Sequence, residues 1–238
     1  LTSGSSSERI PGGQAIAPVI AIDGPVASGK TAVGLSLARE FAYRLVDTGM
    51  MYRAVTWLAL QQGVDLEEEA ALIALAEGAR IELGQPQANG GPTIQVNGRD
   101  ITGELRAPEV DRSVSFVSRI QGVRNAMVAK QRALAREGRL IMLGRDIGSV
   151  VLTDAPLKIY LDASAEVRAG RRHRELAAAG TVRPEADILA ELRARDEMDS
   201  QRHVSPLRPA DDAVIIDTDA LTLDEVVARV REAALASS

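Results

Sequence analysis

Short apolar runs separated by longer stretches of helical spacing set the rhythm of this chain. Residues 19–22 (Val-Ile-Ala-Ile), 45–46, 140–143, 157–161 and 213–216 are such runs, and each reads as a short strand buried between layers. Helical spacing predicts helices over 32–41, 50–61, 72–79, 108–117, 122–136, 164–178, 186–200 and 223–235. In the second of these, Met51, Ala54, Val55 and Leu58 recur at i, i+3, i+4 and i+7, the stripe of a helix with one buried face. Ahead of the last, Thr222 and Glu225 stand three apart, as a capping box requires. Strands alternating with helices predict an α/β fold whose mostly parallel sheet is covered on both faces. Ligands in such sheets bind beyond the carboxyl ends of the strands.

The period changes between 79 and 118. Ile81-Glu82-Leu83, Thr93-Ile94-Gln95-Val96 and Asp100-Ile101-Thr102 alternate apolar and polar residues, with Asn89-Gly90-Gly91 and Asn97-Gly98 as turns. This predicts a small antiparallel sheet inserted into the βα series, with 18–78 and 119–238 as the two parts of the core. Residues 1–17 are rich in Ser and Gly, lack periodicity, and have neither the basic start nor the apolar stretch of a signal peptide. They are expected to be a disordered extension.

Composition narrows the classes. The 238 residues are 45% hydrophobic and 26% charged, ordinary for a globular protein with one substantial core. Cys is absent, which excludes disulfides, thiolate metal sites and a cysteine nucleophile, and fits a reducing compartment such as the cytoplasm. No apolar stretch is long enough for a membrane span. A net charge of −5 and only two Phe, one Trp and three Tyr argue against nucleic acid or an anionic membrane as a partner. An anionic substrate must be gathered by local clusters of Arg.

Residues 24–31 supply the first such place. Gly24-Pro25-Val26-Ala27-Ser28-Gly29-Lys30-Thr31 is a complete G-x-x-x-x-G-K-[ST] loop between a strand and a helix. Backbone N–H groups and the helix N-terminus converge there on an anion. The two glycines permit backbone approaches that a Cβ would hinder. Lys30 can reach the β- and γ-phosphates, and the Thr31 hydroxyl can ligate Mg²⁺. A nucleoside triphosphate is therefore the expected ligand. Asp23, at the end of the preceding strand, either orients Mg²⁺ waters or ties down the loop.

Arginines mark the second. Arg168, Arg171 and Arg172 are spaced to share one helix face, as are Arg195, Asp199 and Arg202. Arg53 follows Asp47-Thr48-Gly49 by one helical turn, and Arg145 leaves a strand end in the glycine-flanked segment Gly144-Arg145-Asp146-Ile147-Gly148. Planar guanidinium forks suit phosphate oxygens and can neutralise a transferring phosphoryl group. His173 and His203 show no spacing that suggests a metal pair or catalysis.

Ile22-Asp23-Gly24-Pro25, residues 47–53 (Asp-Thr-Gly-Met-Met-Tyr-Arg), 144–148 and 155–163 (Ala-Pro-Leu-Lys-Ile-Tyr-Leu-Asp-Ala) occur in this order. Together they resemble the bacterial cytidylate kinases, from about Pro18 to the C-terminus. The resemblance implies a three-layer P-loop nucleoside monophosphate kinase core, an enlarged monophosphate-binding insert at 79–118 and a short lid at about 168–184. It implies transfer of the γ-phosphoryl of ATP to CMP or dCMP with Mg²⁺, by an enzyme taken here as a monomer. By the same resemblance, residues 24–32, through Ala32, would cradle ATP. Arg53 and Arg145 would hold the CMP phosphate. Thr48, Arg124, Asp146 and Arg202 would read the cytosine, with Ser115, Arg195 and Asp199 near the ribose. Lys30, Arg145, Arg168, Arg171 and Arg172 would be catalytic, the last three closing over the transferring group. Thr48 departs from the family's usual Ser, keeping the hydroxyl and adding a methyl. Gly170, Gly180 and residues 181–184 flank the implied lid as hinges, or as helix caps.

Two other readings are open to the same residues. A kinase for a hydroxyl acceptor, such as shikimate or gluconate, needs a base for the hydroxyl proton and leaves the inserted sheet without a purpose. A GTP-dependent switch finds a D-x-x-G match at residues 100–103, but inside the insert, and no Asn precedes a Lys as guanine recognition requires.

Overall fold

A computed structural model describes residues 16–84, 91–202 and 204–237. Its main sheet contains β1 (Val19–Asp23), β2 (Arg44–Asp47), β6 (Leu140–Leu143), β7 (Leu157–Asp162) and β8 (Val214–Asp217), in the order β2-β6-β1-β7-β8. Every pairing is parallel, so the sheet is wholly rather than mostly parallel. All four residues of β6 are buried, because that strand lies inside the sheet with helices on both faces. Ile20, Ile22, Ile141, Leu143 and Ile159 pack to one side against α1 (Lys30–Phe41) and α8 (Leu223–Ala236). Ala21, Val46, Leu140 and Met142 face the other side, where α2 (Thr48–Gln61) and α5 (Gln121–Ala135) lie. The three layers follow from this alternation.

The inserted sheet is also present, antiparallel, with β3 (Ile81–Gly84), β4 (Thr93–Val96) and β5 (Arg99–Asp100). Asn97 and Gly98 both have positive φ, 52° and 83°, as a tight primed hairpin turn demands. Asn89 and Gly90 of the other expected turn lie outside the described residues. The third strand stops two residues early because Thr102 leaves the ladder. Its hydroxyl accepts from Ile94 N at 2.9 Å, and its own N–H donates to Asp100. This sheet shares a core with α2, a 3₁₀ turn at Glu104–Arg106 and α4 (Pro108–Val117). Helix α3 (Glu69–Gly78) packs against α5, and α6 (Ala165–Ala178) against α7 (Glu185–Ser200).

Three expectations need correction. Ile16 and Ala17, assigned to a disordered extension, are 2% and 0% exposed and belong to the core, and Ala17 N donates to Ala234 O at 3.1 Å. Residues 1–15 lie outside the described residues. The last strand is not buried: it is the sheet edge, with Val214 45% and Ile215 59% exposed. Asp47-Thr48-Gly49, left between the strand at 45–46 and the helix expected from 50, belongs to both elements: Asp47 ends β2, and its carboxylate accepts from Gly49 N to cap α2, which starts at Thr48.

Candidate active site

The phosphate loop spans the end of β1 and the start of α1. Gly29 has φ +96°, and Gly24 has φ +148° with its α-carbon pressed against β7. A Cβ on Gly24 would lie 2.2 Å from the Leu161 carbonyl oxygen, so the glycine lets the loop close over the neighbouring strand. Lys30 Nζ turns back onto the loop, donating to Gly24 O at 2.8 Å and Pro25 O at 2.6 Å. Desolvation pushes its pKa down to about 7, and the charge of Arg145 adds to that. The ammonium is thus crowded by a second cation and bound by neutral acceptors, two carbonyls and the Ser28 hydroxyl, an arrangement that an anion would favour.

Asp23 has a defined structural task. Its two carboxylate oxygens accept from Ile147 N and Gly148 N, each at 2.8 Å. This fixes the segment after β6, where Ile147–Val151 forms one π-helical turn. Burial raises the Asp23 pKa to about 6, against those two hydrogen bonds. Of the two roles left open by the sequence, tying down backbone is the one this geometry displays. Gly144 is needed for close packing, since a Cβ there would meet Thr48 Oγ1 at 2.8 Å. The Thr48 hydroxyl donates to Leu143 O at 2.8 Å.

The segment so held presents Arg145 and Asp146 to partners on two different helices. Arg145 Nε makes a very short contact with Asp199 on α7. Asp199 also pairs with Arg202, whose Nη2 lies 3.2 Å away. Asp146 is buried against Arg124 of α5 in another very short pair, and the Arg124 guanidinium lies 5.4 Å from the centre of the Tyr52 ring. On α2, Arg53 Nη1 pairs with Asp111 of α4 at 2.5 Å and donates to Leu105 O at 3.0 Å. Arg195 sits among these groups. Burial pushes its pKa down to about 10, helped by the charges of Arg145 and Arg53. Arg202 is lowered too, first by burial.

Five guanidiniums (Arg53, Arg124, Arg145, Arg195 and Arg202) therefore face three carboxylates (Asp111, Asp146 and Asp199). The group carries an excess of two positive charges, in a chain whose net charge is −5. Arg195 Nε, Arg202 Nη2 and Arg124 Nε are buried without a hydrogen-bond partner among the described residues. Such donors are costly to leave unpaired, and an anionic, hydrogen-bonding ligand would satisfy them.

Not every expected residue joins this cluster. Arg168, 4% exposed, is held on all three nitrogens: Nε donates to Ala163 O, Nη1 to Val26 O and Asp196, and Nη2 to Asp196 at 2.5 Å. It holds the phosphate loop's backbone instead of presenting a free fork. Arg171 donates to the Thr218 hydroxyl and carbonyl. The expectation that these two close over a transferring group does not fit those bonds, which anchor the first half of α6. Arg172, paired among the described residues only with Glu175 one turn on, has no such anchoring there. Ser115 sits one turn beyond Asp111 on α4. Gly170 lies inside α6, and Gly180 (φ +79°) caps it, with Gly180 N donating to Ala177 O and Thr181 N to Leu176 O. That is the cap reading, a Schellman arrangement. His173 Nδ1 lies 2.8 Å from Arg183 O, and His203 is outside the described residues.

Asp111 and Asp196 were missed by sequence reasoning. Each meets its arginine across separate helices, and no local spacing announces such a pair. For a metal, Thr31 Oγ1 and Asp47 Oδ2 lie 3.4 Å apart. No group of three or more His, Asp or Glu able to hold an ion occurs among the described residues. Two hard oxygen donors without a protein cage suit Mg²⁺ held mainly by phosphates.

Comparison with known proteins points to one family. A family model described as cytidylate kinase matches residues 20–235. The cytidylate kinase of Geobacillus thermodenitrificans (strain NG80-2) is 49% identical over 213 residues, 90% of this chain and 94% of that protein. The one from Geobacillus sp. (strain WCH70) is 47% identical over the same shares. Among solved structures, an uncharacterized protein from Eubacterium ventriosum ATCC 27560 aligns with a TM-score of 0.50 at 12% identity. It covers 90% of this chain and 96% of that one, a likeness of fold alone.

Proposed function

The chain belongs to the cytidylate kinase family, enzymes that phosphorylate CMP, and we propose that ATP is its donor, dCMP a second acceptor and Mg²⁺ its metal. One observation carries the reading. Arg145 pairs through Nε with Asp199 inside the arginine cluster and is at the same time a cationic neighbour of Lys30 in the phosphate loop. A single guanidinium is thus the electrostatic neighbour of the donor's loop and of the place suited to an acceptor phosphate.

The reaction needs little beyond that placement. An oxygen of the CMP phosphate forms a bond to the γ-phosphorus as the bond from that phosphorus to the β–γ bridging oxygen breaks. CDP and ADP result. The attacking oxygen is already ionised, so no residue must remove a proton. Lys30 and Arg145 would neutralise the charge spreading over the transferring oxygens, and Arg53 with Arg145 would hold the acceptor phosphate. Residues 24–32 would cradle ATP. When bound, Mg²⁺ supplies further charge neutralisation on the β and γ oxygens, and Thr31, with Asp47 beside it, would hold it there. Asp146, Arg124, Arg202 and Thr48 would read the base, with Ser115, Arg195 and Asp199 toward the ribose. Asp146 can accept from the cytosine amine, a donor that uracil lacks. In this reading Arg168 keeps the loop in shape, and Arg172 is the lid arginine free to reach the transferring group. The lid is assigned to residues 168–184 and the monophosphate-binding insert to 79–118.

No helix among the described residues is long and apolar enough to cross a membrane. The proposed enzyme is a cytoplasmic monomer that uses no nucleic acid or membrane.

ADP release with Mg²⁺-ATP across CMP, dCMP, UMP, AMP, GMP and shikimate tests the reading. CMP and dCMP should turn over fastest, with UMP at least about tenfold less efficient, as expected where a wrong base leaves buried polar groups unpaired. Preference for UMP would overturn the base-reading residues, and turnover of shikimate alone would overturn the acceptor class.

A further inference from the structure

Arg53 differs from the other guanidiniums of the cluster in how it is held. Both of its contacts among the described residues fall on one nitrogen: Nη1 donates to Leu105 O at 3.0 Å and pairs with Asp111 Oδ1 at 2.5 Å. The hydrogen bond and the ion pair therefore both engage the same terminal nitrogen. Among the described residues nothing accepts from Nε or Nη2. That pair of nitrogens forms the edge that grips two phosphate oxygens at once. Asp111 also lies close enough to Arg195 to oppose the repulsion that Arg53 and Arg145 exert on it. A single carboxylate thus aligns one guanidinium and offsets the crowding of another.

Both clamping groups come from one stretch of chain. Leu105 lies in the 3₁₀ turn that follows β5, and Asp111 lies on α4 directly after it. Leu105 and Val110 are buried in the core that this turn and α4 share with the inserted sheet. The position of the clamp is therefore set by the insert's packing.

We propose that Asp111 is a positioning residue for the acceptor phosphate: with the Leu105 carbonyl it fixes Arg53 so that the Nε–Nη2 edge stands ready in the site. This rests on the reading of Arg53 as a phosphate-binding residue. The opposite role, an internal anion that competes with the acceptor for Arg53, would need the carboxylate on the Nε–Nη2 edge, and it is on the other nitrogen. Holding a flexible cation in its binding conformation lowers the ordering cost of binding and acts on affinity more than on chemistry.

Steady-state rates for Asp111→Ala, Asp111→Asn and Arg53→Ala, with ATP saturating and CMP varied, test this. Asp111→Ala should raise the CMP KM by about tenfold while kcat stays within about twofold, and Asp111→Asn should fall between, keeping an acceptor but losing the charge. The ATP KM should not move. Inhibition by cytidine, which has no phosphate, should be unchanged in Asp111→Ala, an outcome that a general loosening of the insert would not give. If Asp111→Ala lowers the CMP KM, the carboxylate competes and the proposal is overturned. An unchanged KM in Asp111→Ala, with a raised KM in Arg53→Ala, overturns the clamp alone. If Arg53→Ala leaves the CMP KM unchanged, the underlying reading of Arg53 fails as well.

Discussion

Lys30 is where sequence, structure and chemistry meet most closely. Its place in the loop was legible from the motif, but its state was not. In the folded chain the ammonium rests on two carbonyls beside Arg145, and its pKa falls to about 7. ATP phosphates would raise that pKa again by supplying negative charge. Binding should therefore draw in a proton above pH 7, and ATP affinity should fall as pH rises through 7. Calorimetry at pH 8 in two buffers of different ionisation enthalpy checks this. We expect uptake of close to one proton, since a group of pKa ~7 is then mostly neutral in the free protein. Heats independent of the buffer would contradict it. Asp23 was left open by the sequence between two roles, and only the backbone of residues 147–148, more than a hundred positions away, reveals which one it fills.

Helices and strands of the core were legible because apolar periodicity reports burial directly. The interior runs on β1, β6 and β7 and the capping box of α8 are there as read. What periodicity could not show was rank in the sheet. Val214 and Ile215 look like core residues, yet they sit on the edge strand β8. The π-helical turn at Ile147–Val151 was equally hidden, because the Asp23 carboxylate that fixes its start comes from another strand. The phosphate loop gives the sharpest test of an element's geometry. Gly24→Ala would force a Cβ to 2.2 Å from Leu161 O at a φ of +148°, so loop and β7 must separate. We expect a loss of about 2 kcal/mol or more of stability, seen as a lower Tm, together with weaker ATP binding. A variant with wild-type Tm and ATP affinity would show that the loop does not depend on that contact.

Across the whole molecule, a chain of net charge −5 gathers five guanidiniums around three carboxylates in one cluster. That place is assembled from α2, α5, α7 and the loop after β6, with α4 supplying the clamp. Arg145 and Asp146 were legible because a glycine-flanked pair at a strand's carboxyl end falls where parallel sheets bind ligands. Arg53, Arg195 and Arg202 came from spacing and resemblance. Their carboxylate partners did not, since Asp111 meets Arg53 and Asp196 meets Arg168 only after separate helices have packed. The same packing explains why three arginines on one face of α6 do not act alike: Arg168 and Arg171 face the body of the protein and are bonded to it, while Arg172 is not.

The most direct test of Arg145 as the link between donor loop and acceptor cluster is the turnover number of Arg145→Ala with CMP at saturating ATP. Loss of a charge that acts on the transferring group should cost a hundredfold or more, roughly 3 kcal/mol of transition-state stabilisation, in a protein that still binds ATP. A turnover number near that of the unaltered enzyme would contradict the placement of phosphoryl transfer at Arg145.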